Sequence, residues 1–262
     1  MRAITMPSYR QGKPDDGRAL WADLRVCLHS IEAYALDDVD EVVIAWEGPW
    51  APDGMPDNPK FRYLERPAGM DMAAAWTWAI EQTHADELIQ MGDDSVLHPD
   101  TIRMLIEDVE MIRRDQPHRR IGVMGGRSNV VAGAQNIRQP NGGVMNGARG
   151  FTSESTIMET EFIFTVLAWY TRAAWEHVGR FPAGCIWGGD MLFSYDLKRL
   201  GYTNFISRAY MHHIGWRGSE LAGGDPAQMK ADGDAWLVQN RPDFVEYGVA
   251  QGYFSPDIYQ HA

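Results

Sequence analysis

Cysteine and basic side chains are scarce in this 262-residue chain. Its two cysteines, Cys27 and Cys185, are too few for a disulfide framework, so we expect buried thiols and a reducing compartment. Lysine and arginine total 24 against 36 acidic residues, which gives a net charge of −12. That charge repels polyphosphate backbones and disfavours a protein whose main partner is nucleic acid.

Long apolar runs are also missing. No run approaches the roughly 18 residues needed to span a bilayer, and residues 1–10 lack the apolar core of a signal peptide. The sequence therefore predicts a cytoplasmic protein with no membrane span. The composition is otherwise that of a globular protein, with 45% hydrophobic and 23% charged residues, so we expect one large α/β core with a C-terminal extension.

Apolar residues recur with strand-like and helix-like periods in alternation along the chain. The patterns predict strands at residues 2–6, 42–45, 60–64, 87–91, 161–169 and 204–211. They predict helices around residues 20–35, 70–84, 172–178 and 190–200, and another that opens with Asp100 as its N-cap. Acidic residues stand where strands end. We therefore predict an α/β fold with an open, mostly parallel sheet and a Rossmann-like nucleotide-binding layer, which binds ligands at the carboxyl ends of its strands.

Two adjacent carboxylates, Asp93 and Asp94, directly follow the strand at residues 87–91 in the segment IQMGDDSVLHPD. A strand that delivers paired carboxylates to a loop suits a hard divalent cation, Mg²⁺ or Mn²⁺, bridging to diphosphate oxygens. On spacing alone, a turn whose Asp side chains cap backbone amides explains the segment equally well.

Two adjacent histidines, His212 and His213, end the last predicted strand in the segment AYMHHIGW. Alternation along a strand sends their side chains to opposite faces, so at most one of them faces a site. Imidazole is a good ligand for Mn²⁺ beside a carboxylate, although a histidine at a strand end also occurs simply as a hydrogen-bonded polar residue.

The segment GDDSVLHPD resembles the region around the DXD motif of GT-A glycosyltransferases, especially those similar to family 2. The resemblance puts Asp94 at the final, metal-binding acidic position. Gly92 stands where the family has its first Asp, so the nucleotide contacts made there are expected from Asp93.

A second segment, TRAAWEHVGRFPAGCIWGGDMLFSYDLKRLGY, is similar to the acceptor side of the same family. Asp190 occupies the second place of the family's acidic pair, which implies that it is the general base for an acceptor hydroxyl. Gly189 replaces the first acid, and Asp196 stands where the family commonly has Arg. An N-cap on the following helix is the alternative role for Asp190, and the two roles are compatible.

The rest of the site also follows from the resemblance. The family's terminal His-x-Gly pattern selects His213 as a metal ligand beside Asp94. The implied donor-binding residues are Pro7, Ser8, Tyr9, Glu47, Gly69 and Asp93. The acceptor-binding candidates are Trp187, Gly188, Gly189 and Trp216. The GT-A domain is expected over residues 1–219, with a C-terminal extension over residues 220–262 that packs on or near the active site.

These expectations describe a metal-dependent glycosyltransferase of hexosyl type. It would transfer a sugar from a nucleoside-diphosphate donor, with UDP favoured, to a hydroxyl of a glycan, protein or small molecule, with inversion. A nucleotidyltransferase is an alternative, but the first strand is not followed by a glycine-rich loop that could hold a triphosphate. A non-catalytic carbohydrate-binding protein is a second alternative, suggested by ten tryptophans and by the glycines at 92 and 189.

Overall fold

The computed structural model describes residues 1–9, 17–47, 54–131, 133–137, 156–185, 188–214 and 226–261. Within these ranges the strands are β1 (Arg2–Tyr9), β2 (Glu41–Glu47), β3 (Phe61–Glu65), β4 (Glu87–Met91), β5 (Ser95–Leu97), β6 (Arg120–Ser128), β7 (Met158–Thr160), β8 (Leu167–Thr171) and β9 (Tyr202–His213). The helices are α1 (Gly17–Tyr34), α2 (Met72–Glu81), α3 (Thr101–Asp115), α4 (Arg172–Val178), α5 (Gly189–Arg199), α6 (Pro226–Asn240) and α7 (Pro242–Ala250). Across these ranges, no helix is long and apolar enough to cross a bilayer.

The nine strands form one sheet in the order β3-β2-β1-β4-β8-β6-β9-β5, with β7 also paired to β9. The predicted open α/β sheet is confirmed. Its first four strands are parallel, but four of the eight strand pairings, all in the other half, are antiparallel. The expectation of a mostly parallel sheet therefore describes the N-terminal half, because the short strands β5, β7 and β8 enter the sheet from loops and need no helical crossover.

Helices cover both faces of the sheet. On one face α1 and α3 pack through apolar residues at helical spacing, such as Leu24, Leu28 and Leu105. On the other face lie α2, α4 and α5, which pack through residues such as Ile80 and Phe193. Parallel pairing brings the carboxyl ends of β1, β2, β3, β4, β6 and β9 to one edge, where β5 and β8 begin. Side chains that follow these strands are therefore neighbours.

The strand predicted at residues 161–169 is wrong in its first part, since β7 ends before it and β8 begins only at Leu167 and runs to Thr171. Polar side chains from α5 and β9 hold the intervening backbone in place of a strand partner. Ser194 Oγ accepts a hydrogen bond from the Ile163 N–H (3.1 Å), and Asn204 donates to the Glu161 carbonyl (3.0 Å). The segment between the two strands is thus an irregular but buried connection.

Asp100 stands at the N-cap position of α3, but its backbone is left-handed (φ 69°) and its side chain makes no capping hydrogen bond. The prediction that its carboxylate caps the helix is wrong. That carboxylate pairs with Arg103 instead. The hydroxyl of Thr101 accepts the His98 N–H (3.0 Å) and donates to the Tyr210 carbonyl (2.6 Å), which ties the start of α3 to β9.

Strand β6 was not predicted, because its sequence RIGVMGGRS carries three glycines. Close packing explains all three, and a Cβ atom on Gly122 would lie 2.4 Å from Asn204 Oδ1. A Cβ atom on Gly125 would lie 2.6 Å from Ile163 Cγ2, and one on Gly126 would lie 2.6 Å from Leu167 Cδ2. Gly125 and Gly126 therefore let the segment leading to β8, and β8 itself, pack directly on the β6 backbone.

The C-terminal helices α6 and α7 pack on α5 through an apolar cluster. Its buried members are Phe162, Cys185, Leu192, Tyr195, Leu237, Phe244, Val245 and Ile258. Arg241, between the two helices, donates two hydrogen bonds of 2.7 Å to Asp196 of α5. Asp196 thus joins the C-terminal helices to the helix that carries Asp190.

Candidate active site

Asp94 and His213 meet at the carboxyl edge of the sheet. His213, the last residue of β9, is paired in register with Ser95, the residue after Asp94. Its Nε2 atom lies 3.1 Å from Asp94 Oδ1, and the two side chains are 15% and 9% exposed. The Ile214 N–H also donates to the Asp94 carbonyl (2.9 Å). The two residues expected to bind a metal are therefore in contact.

The other ring nitrogen of His213 lies 2.6 Å from the Val130 carbonyl oxygen. A carbonyl only accepts, so Nδ1 carries a proton. Burial disfavours the charged ring, but the hydrogen bond and negative charge of Asp94, with the Val130 carbonyl, outweigh burial and raise the pKa of His213. In the neutral ring, the Nε2 lone pair would face a carboxylate oxygen. Two acceptors at this distance need a proton or a cation between them.

The residue types therefore fit a divalent cation, with one carboxylate oxygen and one imidazole nitrogen as ligands. In the part of the chain that the structure describes, no three His, Cys, Asp or Glu side chains form a complete metal cluster. Asp94 and His213 thus supply two metal-coordinating atoms at an edge of the sheet where a bound substrate would supply further oxygen atoms.

Gly92 begins the turn that presents the two acids. The Ser95 N–H donates to the Gly92 carbonyl (3.3 Å), and the Gly92 N–H donates to the Val166 carbonyl (3.3 Å). A Cβ atom on Gly92 would lie 3.0 Å from Asp94 Oδ1 and 3.2 Å from Ser95 Oγ. An Asp at this position would crowd the carboxylate that contacts His213. The observed conformation of Asp94 therefore favours glycine at position 92.

Asp93 contacts the end of β1. Buried Ser8 donates a 2.7 Å hydrogen bond to Asp93 Oδ2. Pro7 and Tyr9 flank Ser8, and Tyr9 is paired in register with Glu47; the Tyr9 side chain lies outside the described part of the structure. The adjacent carboxylates thus face two different strands, β1 and β9.

Glu47 and Gly69 are also brought together. Glu47 Oε1 accepts the Gly69 N–H (3.1 Å), and Gly69 has a left-handed backbone (φ 78°) that favours glycine. Glu47 Oε2 lies 2.6 Å from Arg66 Nη1, and both side chains are only 3% exposed. Arg66 was not a predicted site residue. Arg66 neutralises Glu47, so this predicted donor-binding residue is part of a buried ion pair and is not a bare carboxylate.

Asp190 lies in the first turn of α5, where Gly188 (φ 81°) occupies the N-cap position. The Asp190 carboxylate accepts hydrogen bonds from the Thr165 N–H (3.2 Å) and the Met191 N–H (2.9 Å). Burial raises the pKa of Asp190, while these backbone donors partly offset that rise. Asp190 is therefore not the N-cap of α5. It is an acid of the first turn, and it accepts hydrogen bonds from backbone N–H groups of its own helix and of the segment before β8.

A short stretch of chain connects Asp190 to the acid turn. Thr165, which donates to Asp190, precedes Val166, whose carbonyl accepts from both Gly92 N–H (3.3 Å) and Ser95 Oγ (3.2 Å). The Thr165 hydroxyl is buried and has no hydrogen-bond partner among the described residues. Asp190 and Asp94 are therefore positioned by the same segment at the start of β8.

Of the two glycines predicted on the acceptor side, Gly188 lies against the C-terminal helix α6 and Gly189 lies near Cys185. A Cβ atom on Gly188 would lie 3.5 Å from Leu237 Cδ1 of α6, and one on Gly189 would lie 3.8 Å from Cys185 Sγ. Trp187 and Trp216, the predicted acceptor aromatics, lie outside the described residues.

Asp71 was missed, although an Asp before an Ala-rich helix is an N-cap signal. It caps α2 through Ala74 N–H (2.8 Å) and also accepts Gly184 N–H (2.7 Å) from the segment before α5.

Comparison with solved structures supports the fold. The chain is similar to GalNAc-T7, a GT-A glycosyltransferase solved with UDP, GalNAc and Mn²⁺, with a TM-score of 0.63 and 12% identity. The match covers 90% of this chain and 47% of that one, so this chain spans about half the length of GalNAc-T7. The protein has a GT-A-type fold. No family model matches the sequence, and no curated protein matches it.

Proposed function

We propose that the protein is a metal-dependent glycosyltransferase that transfers a sugar from a nucleoside-diphosphate sugar, with a UDP-sugar favoured, to an acceptor hydroxyl. A glycan, a protein or a small molecule would supply the hydroxyl. The GT-A-type fold and the UDP and Mn²⁺ in the GalNAc-T7 crystal support this class of reaction. At 12% identity the likeness extends to the fold, so the site residues carry the rest of the proposal.

The observation that carries the proposal is the contact between Asp94 and His213. Because Nδ1 of His213 donates to Val130, its Nε2 lone pair is directed at the position beside Asp94. Asp94 and His213 would hold Mn²⁺ or Mg²⁺, with diphosphate oxygens and waters filling the remaining positions. Such an ion supplies positive charge that stabilises the diphosphate leaving group.

The donor would bind along the carboxyl ends of β1 and β2. We assign donor contacts to Pro7, Ser8, Tyr9, Glu47, Gly69 and Asp93. The hydrogen bonds of Ser8 to Asp93 and of Gly69 to Glu47 hold four of these residues in place without the ligand. A preformed polar pocket orients the donor at lower entropic cost.

Asp190 would accept the proton of the acceptor hydroxyl as that oxygen attacks the anomeric carbon, which gives inversion. Its raised pKa favours this role, since a base whose pKa is closer to neutral takes the proton more readily. Trp187, Gly188, Gly189 and Trp216 are assigned to the acceptor side of the site. Trp rings present flat apolar faces on which a sugar can stack.

The test is a mass-spectrometric screen of nucleotide sugars for hydrolysis with Mn²⁺ or Mg²⁺. We expect at least one donor to be hydrolysed, with the activity lost on chelation of the metal and in Asp94→Asn. Asp115→Asn, at an exposed acid paired with Arg114, is the matched control and should keep the activity. Sugar binding without metal-dependent hydrolysis of any donor would favour the non-catalytic alternative. A transfer product of retained anomeric configuration, read by NMR, would reject Asp190 as an in-line base.

A further inference from the structure

We propose that Asn129 is a positioning residue that selects the tautomer of His213 and thereby prepares its Nε2 atom for a metal ion. The part of this inference that concerns metal affinity rests on the proposed function, whereas the part that concerns the tautomer stands on the hydrogen bonds alone. Asn129 directly follows β6 and is only 6% exposed.

The side chain of Asn129 clamps the backbone of His213 at two points. Its Oδ1 atom accepts the His213 N–H (2.8 Å), and its Nδ2 atom donates to the His213 carbonyl (3.0 Å). Backbone pairing between β6 and β9 ends at Ser128 and Met211. The amide side chain thus continues the pairing beyond the last backbone partners and fixes the final residue of β9.

The same short segment also binds the His213 ring, because the carbonyl that accepts from Nδ1 belongs to Val130, the next residue. Hydrogen bonds around Ser128 hold the segment: its Oγ donates to Asn129 Oδ1 (3.3 Å) and accepts the Val130 N–H (3.4 Å). Asn129 therefore fixes the His213 backbone at a position where the Val130 carbonyl accepts a hydrogen bond from Nδ1–H.

The clamp acts against the preference of Asp94. If a neutral His213 ring were unrestrained, the carboxylate 3.1 Å from Nε2 would favour a proton on Nε2, where it donates to Asp94. That tautomer has no lone pair directed at the metal position. The contact with Val130 favours the opposite tautomer, with the proton on Nδ1 and a free pair on Nε2. Loss of Asn129 should therefore shift the ring toward the tautomer that does not bind metal.

The experiment is long-range ¹H–¹⁵N NMR of the imidazole rings in the metal-free full chain, at a pH above the raised pKa of His213, where its ring is neutral. Of the eight histidines, His213 is assigned by difference with His213→Gln. We expect the wild type to show the Nδ1–H tautomer. Asn129→Asp keeps the size and the acceptor but loses the Nδ2 donor, and Asn129→Ser removes the two-point clamp. In both variants we expect a shift toward Nε2–H.

The second readout is the affinity for Mn²⁺ in the presence of UDP, measured by calorimetry. We expect it to fall by about 10–100-fold in the two variants, the usual effect of losing a residue that orients a metal ligand. Asn136→Asp is the control, since Asn136 is a buried amide of the same segment that donates to the Val131 carbonyl (2.6 Å). It should leave the tautomer and the affinity unchanged.

The inference is overturned if the wild type shows Nε2–H at His213, a result that needs no variant to fold. It is also overturned if the folded Asn129 variants keep the Nδ1–H tautomer, or if Asn136→Asp shifts it equally. A tautomer shift in a protein that binds no Mn²⁺ with UDP supports the positioning role and refutes the metal site of the proposed function, so the two failures are distinguishable.

Discussion

Replacing Asp190 by asparagine removes one charge from the first turn of α5 and leaves the side-chain size almost unchanged. The carboxylate accepts the N–H groups of Thr165 and Met191, one on each oxygen. Asparagine has one oxygen, so one of the two N–H groups would face an NH₂ group, which costs about 1–3 kcal/mol of unfolding free energy.

A second effect opposes this loss. The pKa of Asp190 is raised by burial, so its ionisation destabilises the folded state. The sign follows from proton binding: between the unfolded and the folded pKa, the folded state holds the proton more tightly, so stability falls as pH rises through that window. Asparagine removes this cost at neutral pH. We therefore expect Asp190→Asn to fold, with a melting temperature lowered by about 2–4 °C per kcal/mol of net loss.

Catalysis should respond on a different scale. A positioned general base contributes roughly two to four orders of magnitude in rate, or about 3–5 kcal/mol of activation free energy. Even a protein at the low end of natural stability, about 5 kcal/mol, would remain about 97% folded after losing 3 kcal/mol. Unfolding therefore cannot produce a hundredfold loss of transfer. A loss of that size with intact donor binding would identify a catalytic role for Asp190.

The assay measures transfer by mass spectrometry, donor affinity by calorimetry with Mn²⁺, and folding by thermal melting. Asp196→Asn is the matched control, since Asp196 lies on the same helix but pairs with Arg241. It should lower stability and spare the rate. In the wild type, the rate should fall as pH falls through the raised pKa of Asp190, at a pH above the ordinary Asp value of about 4. Near wild-type transfer by Asp190→Asn, or an equal loss in Asp196→Asn, would refute the reasoning.

Three further outcomes are expected. Asp94→Asn should lose most Mn²⁺-dependent donor affinity in calorimetry while its thermal melting stays close to wild type, because a strand-end carboxylate at the sheet edge does not pack the core; unchanged affinity would reject it as a ligand. His213→Ala should weaken metal use more than His212→Ala, since His213 contacts Asp94; equal Mn²⁺ titrations would mean that the wrong histidine was chosen. Arg241→Met should lower the free energy of unfolding in urea by about 1–3 kcal/mol, because charged hydrogen bonds to Asp196 and Asp243 are lost; unchanged unfolding would show that the apolar cluster alone holds the C-terminal helices.

Periodicity predicted the elements whose side chains face a core on a regular repeat. The strand at residues 87–91 and the helix at residues 172–178 have the predicted bounds, since apolar strand and helix patterns both stop at polar or glycine residues there. The meeting of Asp94 and His213 could also be anticipated from topology, because each follows or ends a strand whose neighbours reach the same edge. Pattern and topology suffice where the backbone is regular.

They fail where side chains replace backbone partners. The apolar run at residues 161–169 has strand-like composition, yet in its first part Ser194, Asn204 and Asp190 bind the backbone groups in place of a neighbouring strand. These partners lie 25–43 residues away in sequence. Conversely, β6 forms despite its glycines because neighbouring chain packs on the positions that they leave open. In both segments tertiary contacts override local propensity.

The ion pair of Glu47 and Arg66 depends on register, which local patterns do not encode. Strands β2 and β3 pair with a constant offset, from Val42 with Phe61 to Trp46 with Glu65. One residue further, that offset places Glu47 beside Arg66 and brings their charges within 2.6 Å. A slip of one residue would turn the arginine to the opposite face and leave a buried carboxylate uncompensated, at a cost of several kcal/mol. The pair is thus both a consequence of the register and a reason for it.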